Sequence, residues 1–257
     1  VINKCIEALG RIRAGIQLLV EDDTAFDAFC FMNRSMILQR NIMNFSKKHG
    51  AGIECAFRDF VDPRDPSNNF GWRPFQIAFI LMNLKGIVDP EHDNREVVDL
   101  LYFPTGGGKT EAYLGLMAFV IANRRLRAEE NDEYNRDGGV TAILRYTLRL
   151  LTTQQRDRIT KMILAAELIR QKEYPKYGKE PISIGFWVGG TVTPNTFKEL
   201  EEAPEDPAKT RIARSKKNSI YKQLLTCPFC GKPLTEENFY IDIPTKSVSI
   251  YCSDDKC

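Results

Sequence analysis

The run from Phe103 to Glu111, which reads Phe-Pro-Thr-Gly-Gly-Gly-Lys-Thr-Glu, constrains the fold of this chain more than any other segment. It follows an apolar run at residues 97–102 and precedes apolar residues with helical spacing from Ala112 to Ile121. A strand, a glycine-rich turn and a helix N-terminus in this order form a binding site for nucleotide phosphates. The segment therefore predicts a nucleoside triphosphate site, and the alternative is a chance glycine-rich turn before a helix.

The residue types in this loop have distinct predicted roles. The glycines let backbone N–H groups approach the phosphates, Lys109 supplies a positive charge for the β- and γ-phosphates, and the Thr110 hydroxyl is suited to ligate Mg²⁺. Phe103 stands where the full phosphate-loop pattern has a glycine. Lys109 and Thr110 are the predicted catalytic residues.

Composition excludes some classes of protein. The chain has 257 residues, 43% of them hydrophobic, which suits one large domain or two modest ones. The net charge of +2 is too small to identify a nucleic-acid-binding protein by charge alone. There is no apolar run of the ~18 residues that a membrane span requires and no signal peptide, and we predict a cytoplasmic location. Because the chain begins at Val1 and ends at Cys257, we expect a fragment of a longer protein.

The first part of the chain has the apolar periodicity of two helices. The second helix covers about residues 25–45, with Asp23 or Thr24 as its predicted N-cap. The first has apolar residues at spacings of three and four, which we expect to form core or a docking face: Ile2, Ile6, Leu9, Ile12, Ile16 and Leu19.

From residue 73 onward, predicted strands and helices alternate. The predicted strands cover residues 97–102, 140–146 and 182–188, and helices begin at Pro74, after the glycine loop and near Leu150. Alternation of this kind predicts right-handed crossovers and a parallel sheet, and therefore the α/β fold class.

Trp72-Arg73-Pro74-Phe75-Gln76 precedes the glycine loop by about thirty residues and is similar to the Q-motif of superfamily 2 helicases. The amide of Gln76 presents a donor and an acceptor together, which matches the N6 and N7 edge of adenine. Phe70 or Trp72 is a candidate for stacking on the base, although a lone Trp is more often a core residue. The predicted nucleotide-binding residues are Arg73, Gln76, Thr105, Gly106, Gly107, Gly108, Lys109, Thr110 and Glu111.

Two further segments are candidates for holding a nucleic-acid backbone. Residues 146–155 follow a predicted strand where open α/β sheets bind ligands, and a glycine pair follows the next predicted strand. The alternatives are an ordinary polar helix start and an ordinary turn. The predicted nucleic-acid-binding residues are Thr147, Arg149, Gln154, Gln155, Gly189, Gly190 and Thr191.

Four of the seven cysteines lie in the C-terminal segment 227–257 and indicate a zinc site. The C-x-x-C spacing of Cys227 and Cys230 places two thiolates on one tight turn, and Cys252 and Cys257 would complete a structural four-thiolate site. Cys257 is the least certain ligand, because the second pair is more widely spaced. Residues 240–243 and 247–251 alternate like a small hairpin between the pairs.

The remaining polar and sulfur-bearing residues have weaker signals. Cys5, Cys30 and Cys55 are predicted to be buried free thiols, which suits a reducing compartment. The two histidines, His49 and His92, lie in polar, loop-like contexts and carry no motif.

Three segments together resemble the helicase-like subunits of the DISARM anti-phage defence system: residues 73–79, 99–115 and 145–155. The resemblance covers roughly residues 70–200. It implies a prokaryotic ATPase that acts on DNA through a RecA-like first motor domain, with a DrmB-like partner subunit. The expected division is an N-terminal helical region at 1–69, a partial first RecA-like ATPase domain at 70–200, a charged linker at 201–224 and a truncated zinc-binding insertion at 225–257.

Two parts of such a motor are missing from these residues. No Asp-Glu-x-His or similar acidic pair follows an apolar run, and there is no second RecA-like domain with an arginine finger. The chain alone is therefore expected to bind ATP weakly without hydrolysing it. The alternatives are the motor of a restriction or remodelling complex and a zinc-bearing assembly module with a non-hydrolysing nucleotide site.

Overall fold

The computed structural model describes residues 2–61, 71–102, 107–128, 136–145, 153–187, 224–242, 244–245 and 247–257. Five helices form within these ranges: α1 Ile2–Glu21, α2 Asp23–Gly50, α3 Pro74–Val88, α4 Lys109–Leu126 and α5 Thr153–Lys172. Two strands, β1 Phe239–Asp242 and β2 Ser247–Ile250, and short 3₁₀ turns at Phe57–Phe60, Asp93–Glu96 and Glu236–Asn238 complete the described secondary structure. No described helix combines the length and the apolar composition needed to cross a membrane.

The chain divides into two compact units. Unit 1 consists of Val1–Arg40 and Pro63–Ser183, and unit 2 consists of Asn41–Asp62 and Ile184–Cys257. Helix α2 therefore contributes residues to both units. The domain boundaries expected from the sequence stay a prediction.

The predicted α/β fold with a RecA-like parallel sheet is wrong for the described residues, which are mostly helical and contain one two-stranded antiparallel sheet. Residues 97–102, 140–145 and 182–187, which belong to the three predicted strands, have no strand assignment. Ile182 is buried at 6% exposed, but most of the other apolar side chains in these segments are exposed, as in Val98 at 95%, Leu100 at 87% and Trp187 at 103%. Parallel strands require neighbouring strands and helices on both faces, and no described residues cover these side chains in that way.

The two N-terminal helices are confirmed, with corrections to their details. The side chain of Asp22, and not that of Asp23 or Thr24, caps α2, since its Oδ1 accepts a hydrogen bond from the Ala25 N–H at 2.9 Å. The predicted apolar stripe of α1 is not core: its exposed members include Ile2, Ile6, Leu9 and Ile16.

Helix α1 packs against α3 through its opposite face, where Gly15 and Leu18 are buried. A Cβ atom on Gly15 would lie 2.0 Å from the carbonyl oxygen of Leu81, so the two helix backbones meet without intervening side chains. Helix α3 also packs against α4, whose Gly115 lies against the ring of Trp72. The glycines thus set the close helix packing of unit 1.

Ion pairs and main-chain hydrogen bonds anchor the irregular segments of unit 1. Arg11 in α1 forms a bidentate pair with Asp99 at 2.8 and 2.6 Å, which holds the segment that precedes the glycine loop. The buried Arg125 donates to four carbonyl oxygens, those of Asp137, Tyr177, Glu180 and Pro181.

Unit 2 has its own small core. The strands β1 and β2 pair antiparallel, with Phe239 opposite Ile250, which confirms the hairpin predicted from alternation. Aromatic rings from the end of α2 and from residues 57–60 pack with the cysteine turn, in a cluster built around Phe45, Phe60, Cys227 and Cys230. The prediction of buried thiols is wrong for Cys5, which is exposed, and Cys30 and Cys55 are only partly buried.

Candidate functional site

The described part of the glycine loop, Gly107–Glu111, forms the start of helix α4. Gly108 is the N-cap residue, with a φ of 91° that favours glycine, and Lys109 is the first helical residue. The first-turn N–H groups of a helix lack intrahelical acceptors and attract anions. This end of α4 is therefore a helix N-terminus of the kind that attracts anions. Thr105 and Gly106 lie outside the described residues.

Arg73 and Gln76, at the N-terminus of α3, contact this loop directly. The Nη1 of Arg73 donates to the Gly107 carbonyl at 2.8 Å, and the Nε2 of Gln76 donates to the Gly108 carbonyl at 2.7 Å. A Cβ on residue 108 would lie 2.7 Å from that same Nε2 atom. The structure thus brings the two segments together as neighbours.

The amide of Gln76 is already engaged on both sides. Its Oε1 accepts from the Arg73 N–H at 2.8 Å while its Nε2 holds Gly108, and the side chain is only 5% exposed. Reading adenine would require this amide to release the loop or its own helix N-terminus. Sequence spacing predicted that Gln76 lies near the glycines but did not indicate that the loop itself would use its amide.

Glu111 connects the loop helix to α5. Its Oε1 accepts from the Nη1 of Arg158 at 3.0 Å, and its Oε2 is buried without a hydrogen-bond partner among the described residues. Gln154 and Gln155 lie in the first turn of the same helix α5. The other residues predicted to bind nucleic acid, Thr147, Arg149, Gly189, Gly190 and Thr191, lie outside the described part of the chain.

The four cysteines of the predicted metal site converge in unit 2. The sulfur atoms of Cys227 and Cys257 are 3.6 Å apart, those of Cys230 and Cys252 are 3.5 Å apart, and all four lie within 4.8 Å of one another. Zinc binds thiolates tetrahedrally at about 2.3 Å, which places the sulfurs about 3.8 Å apart. The cluster could therefore hold a metal ion, and its spacing fits zinc.

Electrostatics in the cluster also favour a bound cation. Burial raises the pKa of Cys230 to about 12, and burial together with the nearby Cys227 thiolate raises that of Cys257. Burial acts on Cys227 in the same direction, but hydrogen bonds from the Cys230 and Phe229 N–H groups outweigh it and lower its pKa. Without a cation, the cluster thus resists holding several negative charges, and a divalent ion would replace the protons.

Local turns fix the position of each cysteine pair. In the first turn, the Gly231 N–H donates to the Cys227 carbonyl at 2.9 Å, and Gly231 has a φ of 78°. In the second, the Cys257 N–H donates to the Asp254 carbonyl at 3.0 Å. This bond places Cys257 beside Cys227 despite the wider spacing of the second pair.

His49 is a residue that the sequence analysis missed. It lies in helix α2 and not in a loop, is 5% exposed, and its Nε2 lies 3.1 Å from the Oδ1 of Asp254. Its position four residues after Phe45, on the same face of a helix, was the available signal, but a lone histidine has no spacing that identifies a partner far along the chain.

Comparison with known proteins agrees with the motifs. No family model matches the chain. Over all of its residues the chain is related to a component of the DISARM anti-phage system, which confirms the resemblance predicted from the sequence. That relative is the DISARM protein DrmA of Bacillus paralicheniformis (strain ATCC 9945a / NCIMB 11709 / CD-2), which is 45% identical over 264 residues. The alignment covers 100% of this chain and 23% of the relative, so the chain spans about a quarter of the protein it matches.

Proposed function

We propose that this chain is the nucleotide-binding N-terminal part of an ATP-dependent superfamily 2 DNA helicase or translocase that acts in anti-phage defence. The observation that carries the proposal is the contact of Arg73 and Gln76 with Gly107 and Gly108 at the start of α4. Two segments that are far apart in sequence, and that have separate roles in such motors, are neighbours here. Relatedness to a DISARM protein supports the defence context.

In the proposed site, the loop residues 105–108 and Lys109 hold the phosphates and Thr110 ligates Mg²⁺. Gln76 selects adenine after exchanging its hydrogen bond to Gly108 for bonds to the base. Phosphoryl transfer depends on positioning and charge stabilisation, so no nucleophilic side chain is required. Binding of ATP would close this part of the protein on a second motor domain, and hydrolysis would release it.

The DNA backbone is proposed to lie along two segments, Thr147–Gln155 and Gly189–Thr191. Hydroxyls, amides and helix N-terminal N–H groups of this kind hold phosphates without reading sequence. Gln154 and Gln155 lie in the first turn of α5, and the side chain of Gln154 is exposed. A DrmB-like subunit is the proposed protein partner, and the cytoplasm the proposed location.

The metal proposed for the four cysteines is a structural Zn²⁺. Four thiolates complete a tetrahedral shell and leave no position for a reactive water molecule. The sulfur–sulfur distances of 3.5 and 3.6 Å support this assignment. Zinc would thus stabilise unit 2 and take no part in ATP chemistry.

Two other functions are alternatives to a DISARM motor. One is the motor of a restriction or remodelling complex, which would use the same residues. The other is a zinc-bearing assembly module whose nucleotide site does not hydrolyse ATP. Aspartate and glutamate after an apolar strand in the remainder of the full-length protein would favour a motor, and their absence would favour the module.

The test is ATP hydrolysis by the full-length protein that carries this chain, with and without single- or double-stranded DNA. Lys109→Ala is expected to lower DNA-stimulated turnover by roughly 100-fold or more, because the substitution removes the positive charge that Lys109 would place beside the phosphates. Lys4→Ala, which changes an exposed lysine of α1, is the matched control and should leave turnover unchanged. Turnover that is absent, or indifferent to both DNA and Lys109, would contradict the motor and favour the assembly module.

A further inference from the structure

His49 is a buried polar side chain that neither proposed site uses. It lies in the last turn of α2, where 5% of its surface is exposed. Its ring stacks on Phe45, with the ring centroids 5.1 Å apart and an angle of 16° between the planes. A buried imidazole normally requires a hydrogen-bond partner, which limits where its polar edge can point.

That partner is Asp254, a residue of the turn that carries the second cysteine pair. The Nε2 of His49 lies 3.1 Å from the Asp254 Oδ1, and a carboxylate only accepts, so the imidazole donates this bond. The same Oδ1 accepts from the Lys256 N–H at 3.0 Å, and the Asp254 carbonyl accepts from the Cys257 N–H at 3.0 Å. Asp254 therefore links His49 to the position of Cys257.

The first cysteine turn docks on the same helical turn of α2. A Cβ on Gly231 would lie 2.0 Å from the Ser46 carbonyl oxygen, and one on Gly50 would lie 2.6 Å from the Gly231 carbonyl oxygen. The ring of Phe229 meets Phe45 edge-on at 5.7 Å. Both halves of the candidate metal centre thus contact residues 45–50, one through backbone and ring contacts and the other through His49.

We infer that His49 is a positioning residue of the metal centre, holding the Cys252–Cys257 turn through Asp254 so that Cys257 is in place to complete the thiolate shell. This inference rests on the proposed zinc centre. Partners that orient metal ligands from outside the coordination shell raise metal affinity, and their removal typically costs 10- to 100-fold. His49, Cys230 and Asp254 also lie within 4.8 Å of one another, so direct ligation by His49 is the competing role. The converging four sulfurs favour positioning.

The test is metal affinity measured by competition between the purified protein and a chelator, with Zn²⁺ and then with Co²⁺. His49→Ala and Asp254→Ala are each expected to weaken binding by roughly 10- to 100-fold, and the double variant by no more than Asp254→Ala alone, because His49 acts through Asp254. His49→Gln, which keeps a donor of similar reach, should restore most of the affinity. Lys47→Ala, on an exposed side chain of the same turn, is the control and should bind like the wild type.

The Co²⁺ absorption spectrum separates positioning from ligation. A four-thiolate spectrum in both the wild type and His49→Ala supports the inference when it accompanies the loss of affinity. If the Co²⁺ spectra of the wild type and of His49→Ala indicate different sets of ligands, the inference is overturned, since the imidazole would then be a ligand. Unchanged affinity in His49→Ala would overturn it as well, while a wild-type protein that binds no metal would instead contradict the proposed zinc centre.

Discussion

Gly231 is the residue at which the first cysteine turn meets helix α2. Its φ of 78° lies in the left-handed region, and a side chain there would meet the Ser46 carbonyl oxygen at 2.0 Å. Two separate constraints therefore act on this position, one from the backbone conformation and one from the close approach. Gly52 has a similar φ of 83° but open space around it, so it carries only the first constraint.

This pair of glycines allows the two constraints to be measured separately. Gly52→Ala is expected to lower the free energy of unfolding by about 1–2 kcal/mol, the cost of a left-handed alanine. Gly231→Ala should cost about 1–3 kcal/mol more, since a backbone carbonyl cannot turn away from the added methyl group. Urea unfolding of both variants, monitored in unit 2, checks the difference. Equal losses would mean that the contact with Ser46 contributes nothing.

The carboxyl group of Glu167 is expected to make the stability of unit 1 depend on pH. Burial alone would raise the pKa of this carboxyl group, but hydrogen bonds from Arg170, the Ile182 N–H and Gln171 outweigh it and lower the pKa below its ordinary 4.5. A lowered folded-state pKa stabilises the fold above the unfolded-state value, and this contribution is lost as the pH falls through the folded-state pKa. The contribution should therefore be complete at neutral pH and should disappear below about pH 4.5.

The matching substitution is Glu167→Gln. It is expected to lower the free energy of unfolding at pH 7 by about 1–3 kcal/mol and to flatten the loss of stability at acid pH. Glu180→Gln, which changes an exposed carboxylate nearby, is the control. Unfolding measured between pH 3 and 7 checks both, and an acid limb that is as steep in Glu167→Gln as in the wild type would count against the assignment.

Residues were predictable where their spacing carries chemistry. The spacing of Cys227 and Cys230 predicted a metal turn, and the structure brings all four cysteines together. His49 has no such spacing, because its partner Asp254 lies in another segment that only the folded chain places beside it. The position of Gln76 was close to the loop as expected, while the use of its amide depends on backbone geometry that no pattern of residues indicates.

Among the elements, helix α1 shows why periodicity alone does not tell which face is buried. Its apolar residues recur as in an amphipathic helix, yet Ile2 is 75% exposed and Ile6 is 63% exposed. The face that packs on α3 contains Gly15, which lets the helices approach until a Cβ on it would meet the Leu81 carbonyl. The close approach of the two backbones requires a residue without a side chain at position 15, and the hydrophobic periodicity of α1 does not indicate this contact.

Helix α1 also contains a matched pair of glycines. Gly10→Ala, with nothing within 4 Å of the new methyl group, is expected to stabilise unit 1 by about 0.5–1 kcal/mol through helix propensity. Gly15→Ala has the same propensity gain, but the clash with Leu81 should reverse the sign and destabilise by about 1–3 kcal/mol. Thermal unfolding of the two variants checks this opposite response. Stabilisation by both substitutions would show that α1 and α3 can separate without cost.

The helices and the hairpin were predicted correctly from the sequence, whereas the prediction of a parallel sheet was wrong. Helical periodicity and the start signal at Pro74 predict a helix from one segment alone, because the hydrogen bonds of a helix form within that segment. A strand requires a neighbour for its hydrogen bonds, and Val98, Leu100 and Tyr102 are exposed at 95%, 87% and 90% instead. The apolar runs indicated segments that can pair, but a segment's own residues do not tell whether a partner lies beside it.

At the scale of the whole molecule, the metal is expected to act on one unit. Unit 2 has a small core of rings and cysteines, and such cores depend on a metal for much of their folding energy. In unit 1, helix α3 packs against both α1 and α4. Sequence reasoning identified the cysteine cluster but not that the end of α2 belongs to the same unit, because the residues concerned are separated along the chain.

Removal of the metal by a chelator tests this dependence. Amides in the cysteine turns at 226–234 and 247–257, and in the last turn of α2, are expected to exchange hydrogen at least about tenfold faster in the metal-free protein. Hydrogen exchange followed by mass spectrometry measures this, with the amides of α4 as the internal reference. Cys227→Ser should reproduce the effect and Cys5→Ser, on an exposed thiol outside the cluster, should not. Unchanged exchange in unit 2 would contradict a stabilising role for the metal.

Arg125 has a consequence for how freely related sequences can diverge. Its guanidinium holds two irregular segments by the carbonyl oxygens of Asp137, Tyr177, Glu180 and Pro181, and every residue type supplies such an oxygen. Side chains at the accepting positions can therefore vary across relatives without loss of these bonds, while position 125 has to keep a planar group with several donors. Lysine there would offer a single ammonium in place of the fork, so we expect the exposed accepting positions, Glu180 and Pro181, to vary more than the arginine.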